Sequence, residues 1–245
     1  MKIFFRKLHR WLGLLMAVQI IAWMASGLYF SIFPIDEIRG AHLTRAPESL
    51  DAGQLTGMGS PAQVMKLLNR QFPGDWSLSS LKLTMVAGQP LWRVAGSSEN
   101  QKFTRLVEAD GRSIVARLDA DEAEKRARGW MLDAGPVTSV ELITEFGAGA
   151  EYRGSVLPVW KVSFDQAEAV NLYIDPWTGE LLARRTNRWR IFDFLWMLHI
   201  MDFDTRDDFN HPLLQISSLL GLIIALSGVI FWAMTTKLFR RRRPS

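Results

Sequence analysis

The chain has 245 residues, of which 48% are hydrophobic, and it carries a formal net charge of +4. It contains no cysteine, which excludes a disulfide framework and thiolate ligation of a metal ion or an iron–sulfur cluster. Much of the positive charge lies in two short terminal segments, residues 2–10 and 237–243, so it indicates membrane orientation rather than nucleic-acid binding.

The first predicted element is an N-terminal transmembrane helix within residues 1–34. Its apolar segment, residues 11–33, is longer than the hydrophobic core of a signal peptide. Trp23, Tyr29 and Phe33 lie near the end of that segment, where cleavage by signal peptidase would require small residues. We therefore expect a retained span whose basic flank keeps the N-terminus in the cytoplasm.

Residues 35–187 predict two similar α+β modules in one domain. Helical patterns begin at Pro61 and near Asp119, and each is followed by strand-like segments in which apolar residues alternate. The tetrapeptides LWRV and VWKV recur at equivalent points, which indicates an internal repeat. The first module with its connector covers residues 35–118 and ends in a predicted strand at 112–118. The second covers residues 119–187, where residues 138–146 either continue the helix or form a strand.

The C-terminal part predicts an interfacial amphipathic helix over residues 188–205, a second transmembrane helix over 211–236 and a basic cytoplasmic tail over 237–245. Residues 213–234 include no Asp, Glu, Lys, Arg or His. As a helix they extend for ~33 Å, enough to cross a bilayer. The expected fold class is therefore membrane α plus α+β, with both termini cytoplasmic and the central domain periplasmic at a bacterial inner membrane. Small residues spaced by four in both spans favour helix packing and a homodimer.

The second module ends in a motif that carries a family resemblance. The run VWKVSFDQAEAVNLYIDPWTGELLAR resembles the PepSY domain, and RKLHRWLGL at 6–14 and FDFLWMLHIMDF at 192–203 are similar to segments of the PepSY-associated transmembrane proteins. Many members of that family have four spans, whereas two are predicted here. The hallmark of the PepSY domain is the motif Asp-x-x-Thr-Gly-Glu, which corresponds here to Asp175, Thr178, Gly179 and Glu180. We interpret this motif as a capped turn, because Asp accepts backbone N–H bonds and Gly takes a positive φ.

All four histidines, His9, His42, His199 and His211, lie close to a predicted membrane boundary. Neutral imidazole is a common ligand of haem iron, and aromatic residues flank His9 and His199. The resemblance implies haem b, for which His9 and His199 in the family's LH segments are the first candidate ligands and His211 and His42 are further candidates. His42, His199 and His211 are expected on the outer side, where one chain could supply two ligands to one iron. His9 is alone on the cytoplasmic side, so an inner bis-histidine site would need two copies of the chain. The alternative is that these histidines contact lipid headgroups.

Two functions from different classes follow. The resemblance implies a haem-dependent electron-transfer protein, and in some relatives the reduction of ferric iron or ferric siderophores in the periplasm. A quinol or a cytoplasmic reductase would supply the electrons near His9, since the sequence offers no flavin or nicotinamide motif. The alternative is a non-redox, membrane-anchored module that binds or regulates a protease or another envelope protein complex.

Overall fold

The computed structural model describes residues 2–50, 52–55, 57–72, 74–99, 101–147 and 149–236. The chain divides into two compact units. One unit combines the N-terminal residues up to Ile38 with the residues from Arg188 onward, and the other runs from Arg39 to Asn187. The predicted basic tail, residues 237–245, lies outside the described residues.

The described helices and strands are numbered here in chain order. The helices are α1 (Lys2–Ile32), α2 (Ile35–Ile38), α3 (Pro61–Gln71), α4 (Ala120–Trp130), α5 (Asn187–Ile200) and α6 (Pro212–Thr235). The strands are β1 (Trp76–Val86), β2 (Gln89–Ser98), β3 (Gln101–Glu108), β4 (Val137–Ile143), β5 (Val159–Phe164), β6 (Asn171–Ile174) and β7 (Leu181–Arg185).

Helices α1 and α6 are long and apolar enough to cross a membrane, over Arg6–Ile32 and Pro212–Thr235. Only 11% and 17% of their most apolar windows are buried inside the protein. The core helix of a water-soluble domain would bury most of such a window, so these exposed apolar side chains fit contact with lipid. The prediction of a membrane protein with two candidate spans around a region of two antiparallel sheets is confirmed.

Helix α1 packs against α6, and the two helices run in opposite directions. His9 near the start of α1 contacts Ser227 near the end of α6, whereas Trp23 lies beside Gly221, earlier in α6. Ser217 and Ser227 are buried in this unit. Small side chains allow two helix backbones to approach closely, which is the role that the spacing of small residues predicts.

Helix α5 runs alongside the second half of α1, also in the opposite direction. The Tyr29 hydroxyl donates to the carbonyl of Arg188, and Gln19 Nε2 donates to the carbonyl of Leu198. The two contacts are equally far apart on both helices, ~15 Å at ~1.5 Å per residue. A helix that lies in the membrane interface would cross the spans, whereas α5 runs along α1. The position of α5 in a membrane interface stays a prediction.

The predicted extent of this helix, residues 188–205, is wrong at its C-terminal end. Helix α5 ends at Ile200, and Met201 has a φ of 59°, which a continuing right-handed helix does not allow. The Asp202 carboxylate then accepts hydrogen bonds from the backbone N–H groups of Asp204 and Thr205. An Asp carboxylate that accepts backbone N–H bonds in a turn replaces the hydrogen bonds of a helix, which favours the end of α5 here.

The first module packs α3 on the antiparallel sheet β1–β2–β3. A capping box starts α3: the Ser60 hydroxyl accepts from the Gln63 N–H, and the Gln63 side chain accepts from the Ser60 N–H at 2.7 Å. Val64 and Leu68 lie one turn apart on the same face and are fully buried. The helical pattern and its start at Pro61 are confirmed.

The predicted last strand of this module, residues 112–118, does not form. Gly111 makes the expected turn with a φ of 72°, but beyond it only an isolated bridge, between Ile114 and Val107, is found among the described residues. The chain then leaves the sheet, and the Leu118 N–H donates to the carbonyl of Pro176 in the second module at 2.8 Å. A tertiary contact thus outweighs the local β propensity.

The second module packs α4 against a four-stranded antiparallel sheet in the order β4–β5–β6–β7. Asp119 and Glu122 form a capping box at the start of α4. Residues 138–146, which the sequence leaves open, supply a strand: β4 covers Val137–Ile143. Val162 and Leu172 on neighbouring strands are fully buried beneath α4.

Each module pairs one helix with one antiparallel sheet, as the internal repeat predicts, with three strands in the first and four in the second. Trp92 in β2 and Trp160 in β5 occupy equivalent positions. The indole N–H of Trp92 donates to the carbonyl of Ala109 at 3.3 Å, and that of Trp160 donates to the carbonyl of Leu118 at 3.0 Å. Both tryptophans therefore hydrogen-bond to the segment that follows the sheet of the first module, one at Ala109 and the other at Leu118.

Candidate functional site

The side chain of His9 on α1 is held by α6. Its Nδ1 lies 3.2 Å from the carbonyl oxygen of Ile224 and 3.1 Å from the hydroxyl of Ser227. A carbonyl oxygen only accepts hydrogen bonds, so Nδ1 must carry the proton. In the neutral imidazole the lone pair then resides on Nε2, for which no partner is found among the described residues.

Two residues of α6 shape the space around His9. Ser227 is buried, and its hydroxyl donates to the carbonyl of Ile224 at 2.8 Å, so its oxygen is left to accept from His9. At Gly228 an added Cβ would lie 3.1 Å from Cε1 of His9. Glycine therefore lets the imidazole ring lie against the α6 backbone.

His199 near the end of α5 has an equivalent arrangement with α1. Its Nδ1 lies 2.6 Å from the hydroxyl of Ser26, a residue with no exposed surface. That hydroxyl is placed to donate to the carbonyl of Ala22 at 2.7 Å. When the serine proton is donated to Ala22, the serine oxygen accepts from Nδ1–H, and the lone pair of His199 is then on Nε2.

Aromatic side chains surround the ring of His199. Trp196 stacks on it with an interplanar angle of 2°, and the centroid of Phe30 lies 5.6 Å away. Trp23 fixes the backbone by donating its indole N–H to the carbonyl of His199 at 2.7 Å. His199 lies outside the two candidate spans, and burial lowers its pKa, which favours the neutral imidazole.

The two histidine sites are separate within one chain. His9 and Ser26, the partner of His199, are ~26 Å apart along α1 at ~1.5 Å per residue. In the part of the chain that the structure describes, no group of three or more His, Asp or Glu side chains is arranged to hold a metal ion. Each histidine is therefore a single candidate ligand at its own level of the helical unit.

The Asp-x-x-Thr-Gly-Glu segment forms a closed turn between β6 and β7. Oδ1 of Asp175 accepts from the backbone N–H of Trp177 at 2.7 Å and of Thr178 at 3.0 Å. Gly179 has a φ of 66°, and the Thr178 hydroxyl accepts from the N–H of Glu180 at 3.3 Å. The interpretation of this motif as a capped turn is confirmed.

The same turn also joins the two modules, which the sequence analysis missed. The Glu180 carboxylate pairs with Arg93 of β2. The guanidinium of Arg105 in β3 lies 3.7 Å from the ring centroid of Trp177, and that of Arg117 lies 5.6 Å from it. These partners are far from the turn in sequence, and no local pattern in the sequence points to them.

Comparison with known proteins identifies the family of this chain. The family described as PepSY-associated TM region matches residues 6–245, which include both candidate spans and all four histidines. The chain belongs to this family. Searches of the curated proteins and of the solved structures found no match. Membership confirms the resemblance seen in the sequence and establishes a membrane-associated PepSY protein.

The other two histidines of this PepSY-associated protein are placed differently. Nε2 of His211 lies 2.9 Å from the carbonyl oxygen of Ile200, so it donates there and ties the end of α5 to the start of α6. His42 is exposed on a 3₁₀ turn (Ala41–Leu43) of the other unit. Their roles as ligands stay predictions, and the arrangement of His9 and His199 is the one that resembles a prepared ligand.

The residues present fit a haem iron in one specific respect. Metal-ligating histidines usually donate the second ring N–H to a carbonyl or another acceptor, which fixes the tautomer and the ring orientation. His9 donates through Nδ1 to the carbonyl of Ile224, and the contact of His199 Nδ1 with the Ser26 hydroxyl allows the same arrangement, in which Nε2 keeps its lone pair. Aromatic walls such as those around His199 suit an apolar macrocycle.

Proposed function

We propose that this protein transfers electrons through haem b, with His9 and His199 as iron ligands at two levels of the membrane part. The observation that carries the proposal is the shared arrangement of the two rings: Nδ1 of each lies within hydrogen-bond distance of a buried serine hydroxyl on another helix, which suits Nε2 to hold an iron. A bound haem would supply a one-electron redox centre. The chain's own residues would hold it, orient its ligands and exclude water around them.

Where two histidines hold each iron, the second one would come from a second copy of the chain in a homodimer. His9 and His199 lie too far apart along α1 to share one iron. A two-fold axis brings the same residue of two copies face to face, so His9 would pair with His9 of the second copy and His199 with His199. This assignment gives two haems in the dimer.

The orientation of the chain follows from its charges. Basic residues before the first span and after the second favour cytoplasmic termini and a periplasmic central domain in a bacterial inner membrane. Electrons would then enter near His9 from a quinol or a cytoplasmic reductase and leave near His199. Ferric iron or a ferric siderophore in the periplasm is the acceptor that we propose.

The second candidate function is a non-redox module that binds or regulates a protease or another envelope protein complex. The observation in its favour is the connection between the two modules, in which Glu180 pairs with Arg93 and Trp177 contacts Arg105. A domain of this kind presents a fixed surface whether or not the membrane part holds haem. It would give no account of the hydrogen bonding of His9 and His199.

The test is the dithionite-reduced minus oxidised spectrum of the detergent-purified protein and of His9→Ala, His199→Ala and His42→Ala. We expect sharp b-type bands in the wild type, a partial loss in each of the first two variants and no loss in His42→Ala, to which the proposal assigns no role. A colourless wild type from haem-replete cells would refute electron transfer and favour the non-redox module. Equal bands in all four proteins would refute the two ligands.

A further inference from the structure

A cleft of about 600 Å³ lies within the unit Arg39–Asn187, between its two modules. Its walls come from five places in the chain: residues 45–48, the end of β1 with Ala87, Leu118, helix α4, and residues 178–181 at the capped turn. This volume is within the range of small-molecule sites. The cleft is distinct from the histidine sites, which belong to the other unit.

The carboxylates of the cleft are engaged in the fold. Glu48 accepts from the backbone N–H of Gly88 at 2.8 Å, and Glu122 accepts from the N–H of Asp119 in the capping box. Glu180 pairs with Arg93.

The cations of the cleft, in contrast, have no such partners. The side chains of Arg45, Lys125 and Arg126 make no hydrogen bond and no ion pair with any residue that the structure describes. The lining therefore offers cationic groups to a ligand while its carboxylates are already hydrogen-bonded.

Arg126 is the strongest of these groups because it is half-buried. Its guanidinium lies against the backbone of Gly179, where an added Cβ would come within 2.8 Å of Nε. Burial lowers the pKa of Arg126, and the charges of Glu48 and Glu122 only partly oppose this effect. A desolvated guanidinium without a hydrogen-bonded partner is costly, and a bound carboxylate would relieve that cost through two parallel N–H···O bonds.

Apolar side chains line the remainder of the cleft, among them Met85, Leu118 and Trp130. The indole N–H of Trp130 donates to the carbonyl of Gly179 at 3.0 Å, which fixes the ring beside the capped turn. The ligand that matches this lining has one anionic head for Arg126 and an apolar or aromatic body.

We propose that this cleft binds an organic carboxylate with an apolar or aromatic group, and that Arg126 receives the carboxylate. The proposal does not depend on haem binding and stands if electron transfer is refuted. The hallmark turn then has a second role, since Gly179 both forms the turn and lets Arg126 approach.

The test uses N-acetyl-phenylalanine as the probe and its uncharged primary amide as the comparison, measured by isothermal titration calorimetry on the full-length protein in detergent. We expect the carboxylate to bind at least ~10-fold more tightly than the amide, because only it accepts charge-assisted hydrogen bonds. Arg126→Gln should abolish this preference. Arg128→Gln is the matched control, since Arg128 lies on the same helix, pairs with Glu124 and does not line the cleft.

Three results would overturn the proposal: no saturable binding of the carboxylate, equal binding of the two probes, or an unchanged preference in Arg126→Gln. A second measurement covers the case in which that variant does not fold. Arg126→Met removes the charge but keeps an apolar stem, so we expect an unchanged or raised Tm without the probe and no rise when the carboxylate is added. A Tm rise with the carboxylate as large as that of the wild type would contradict the role of Arg126.

Discussion

Two buried serines contact Nδ1 of the two candidate histidines, each from a neighbouring helix. Ser26 and Ser227 each donate to a carbonyl of their own helix and turn the hydroxyl oxygen toward Nδ1 of a histidine. A serine inside an apolar helix usually satisfies its hydroxyl by such back-bonding. In the function that we propose, the same geometry leaves Nε2 of His199 and His9 to ligate the haem iron.

If His199 ligates haem, as we propose, replacing Ser26 by Ala should weaken haem binding while leaving the imidazole in place. The Nδ1–H of His199 would lose its acceptor, and loss of such a partner typically lowers affinity by about 10–100-fold. Haem occupancy and the midpoint potential, measured on the purified protein, report the effect. Ser31→Ala is the control, because Ser31 is exposed and donates only to the carbonyl of Leu28. An identical occupancy and potential in Ser26→Ala and Ser31→Ala would contradict this role.

Gly179→Ala should destabilise the central unit by about 1–2 kcal/mol, because an L side chain is strained in the left-handed region. The added methyl group would also meet Arg126. Chemical unfolding followed by tryptophan fluorescence measures the free energy of unfolding. In the control Gly147→Ala, an added Cβ meets nothing within 4 Å, and we expect a change within about 0.5 kcal/mol. Equal effects of the two substitutions would show that the turn tolerates a side chain.

At the scale of elements, the connection between α5 and α6 is the part that holds His199 in place. Asp193 is buried in α5 and pairs with Arg206 of the connecting loop. The indole N–H of Trp196 donates to the carbonyl of Arg206 at 3.1 Å, and His211 donates to the carbonyl of Ile200. The loop is thus fixed to the helix that carries the candidate ligand.

Asp202 should make this loop sensitive to acid. Partial burial raises the pKa of Asp202, but hydrogen bonds from the Thr205 hydroxyl and from backbone N–H groups lower it by more. The pKa is therefore well below the ordinary 3.8. A folded-state pKa below the unfolded one means that the carboxylate stabilises the loop above about pH 4. This contribution is lost as the pH falls toward the lowered value.

Hydrogen exchange of residues 203–208, corrected for intrinsic rates, should therefore show protection that decreases below about pH 4. Asp202→Asn should have weaker protection at neutral pH and little pH dependence. Asp204→Asn serves as the control, because its carboxylate caps no described N–H group. Retained protection in Asp202→Asn would contradict the role of the carboxylate.

The sequence predicts elements well where a local pattern decides them and poorly where a distant contact does. The helix after Ser60 and the capped turn at Asp175 follow from residues within a few positions, and both are confirmed. The strand predicted at 112–118 fails because Leu118 bonds to the second module. The acceptors of His9 and His199 lie on other helices, so their hydrogen bonding could not be predicted from the chain order.

At the scale of the whole molecule, the chain combines a helical unit that carries His9, His199 and His211 with a unit of two α+β modules. The modules are one body because the second reaches back to the first through Glu180 and Trp177. Pairs of this kind that are partly shielded from water contribute more than fully exposed ones.

Exchanging the charges of Arg93 and Glu180 should show whether their ion pair stabilises the contact between the modules or whether the two side chains are only close together. Arg93→Glu places two carboxylates together and Glu180→Arg places two guanidinium groups together, so each should increase hydrogen exchange in the capped turn. The double variant restores opposite charges and should recover part of the protection. Additive effects of the two substitutions would contradict a coupling between the modules.

The central claim is that the membrane part holds haem at two levels in a dimer. The most direct measurement is the haem content per chain of the detergent-purified wild type, from its reduced spectrum, together with the mass of the complex from light scattering. We expect b-type haem at one per chain and a mass of two chains. A colourless protein, or haem bound by a single chain, would contradict it.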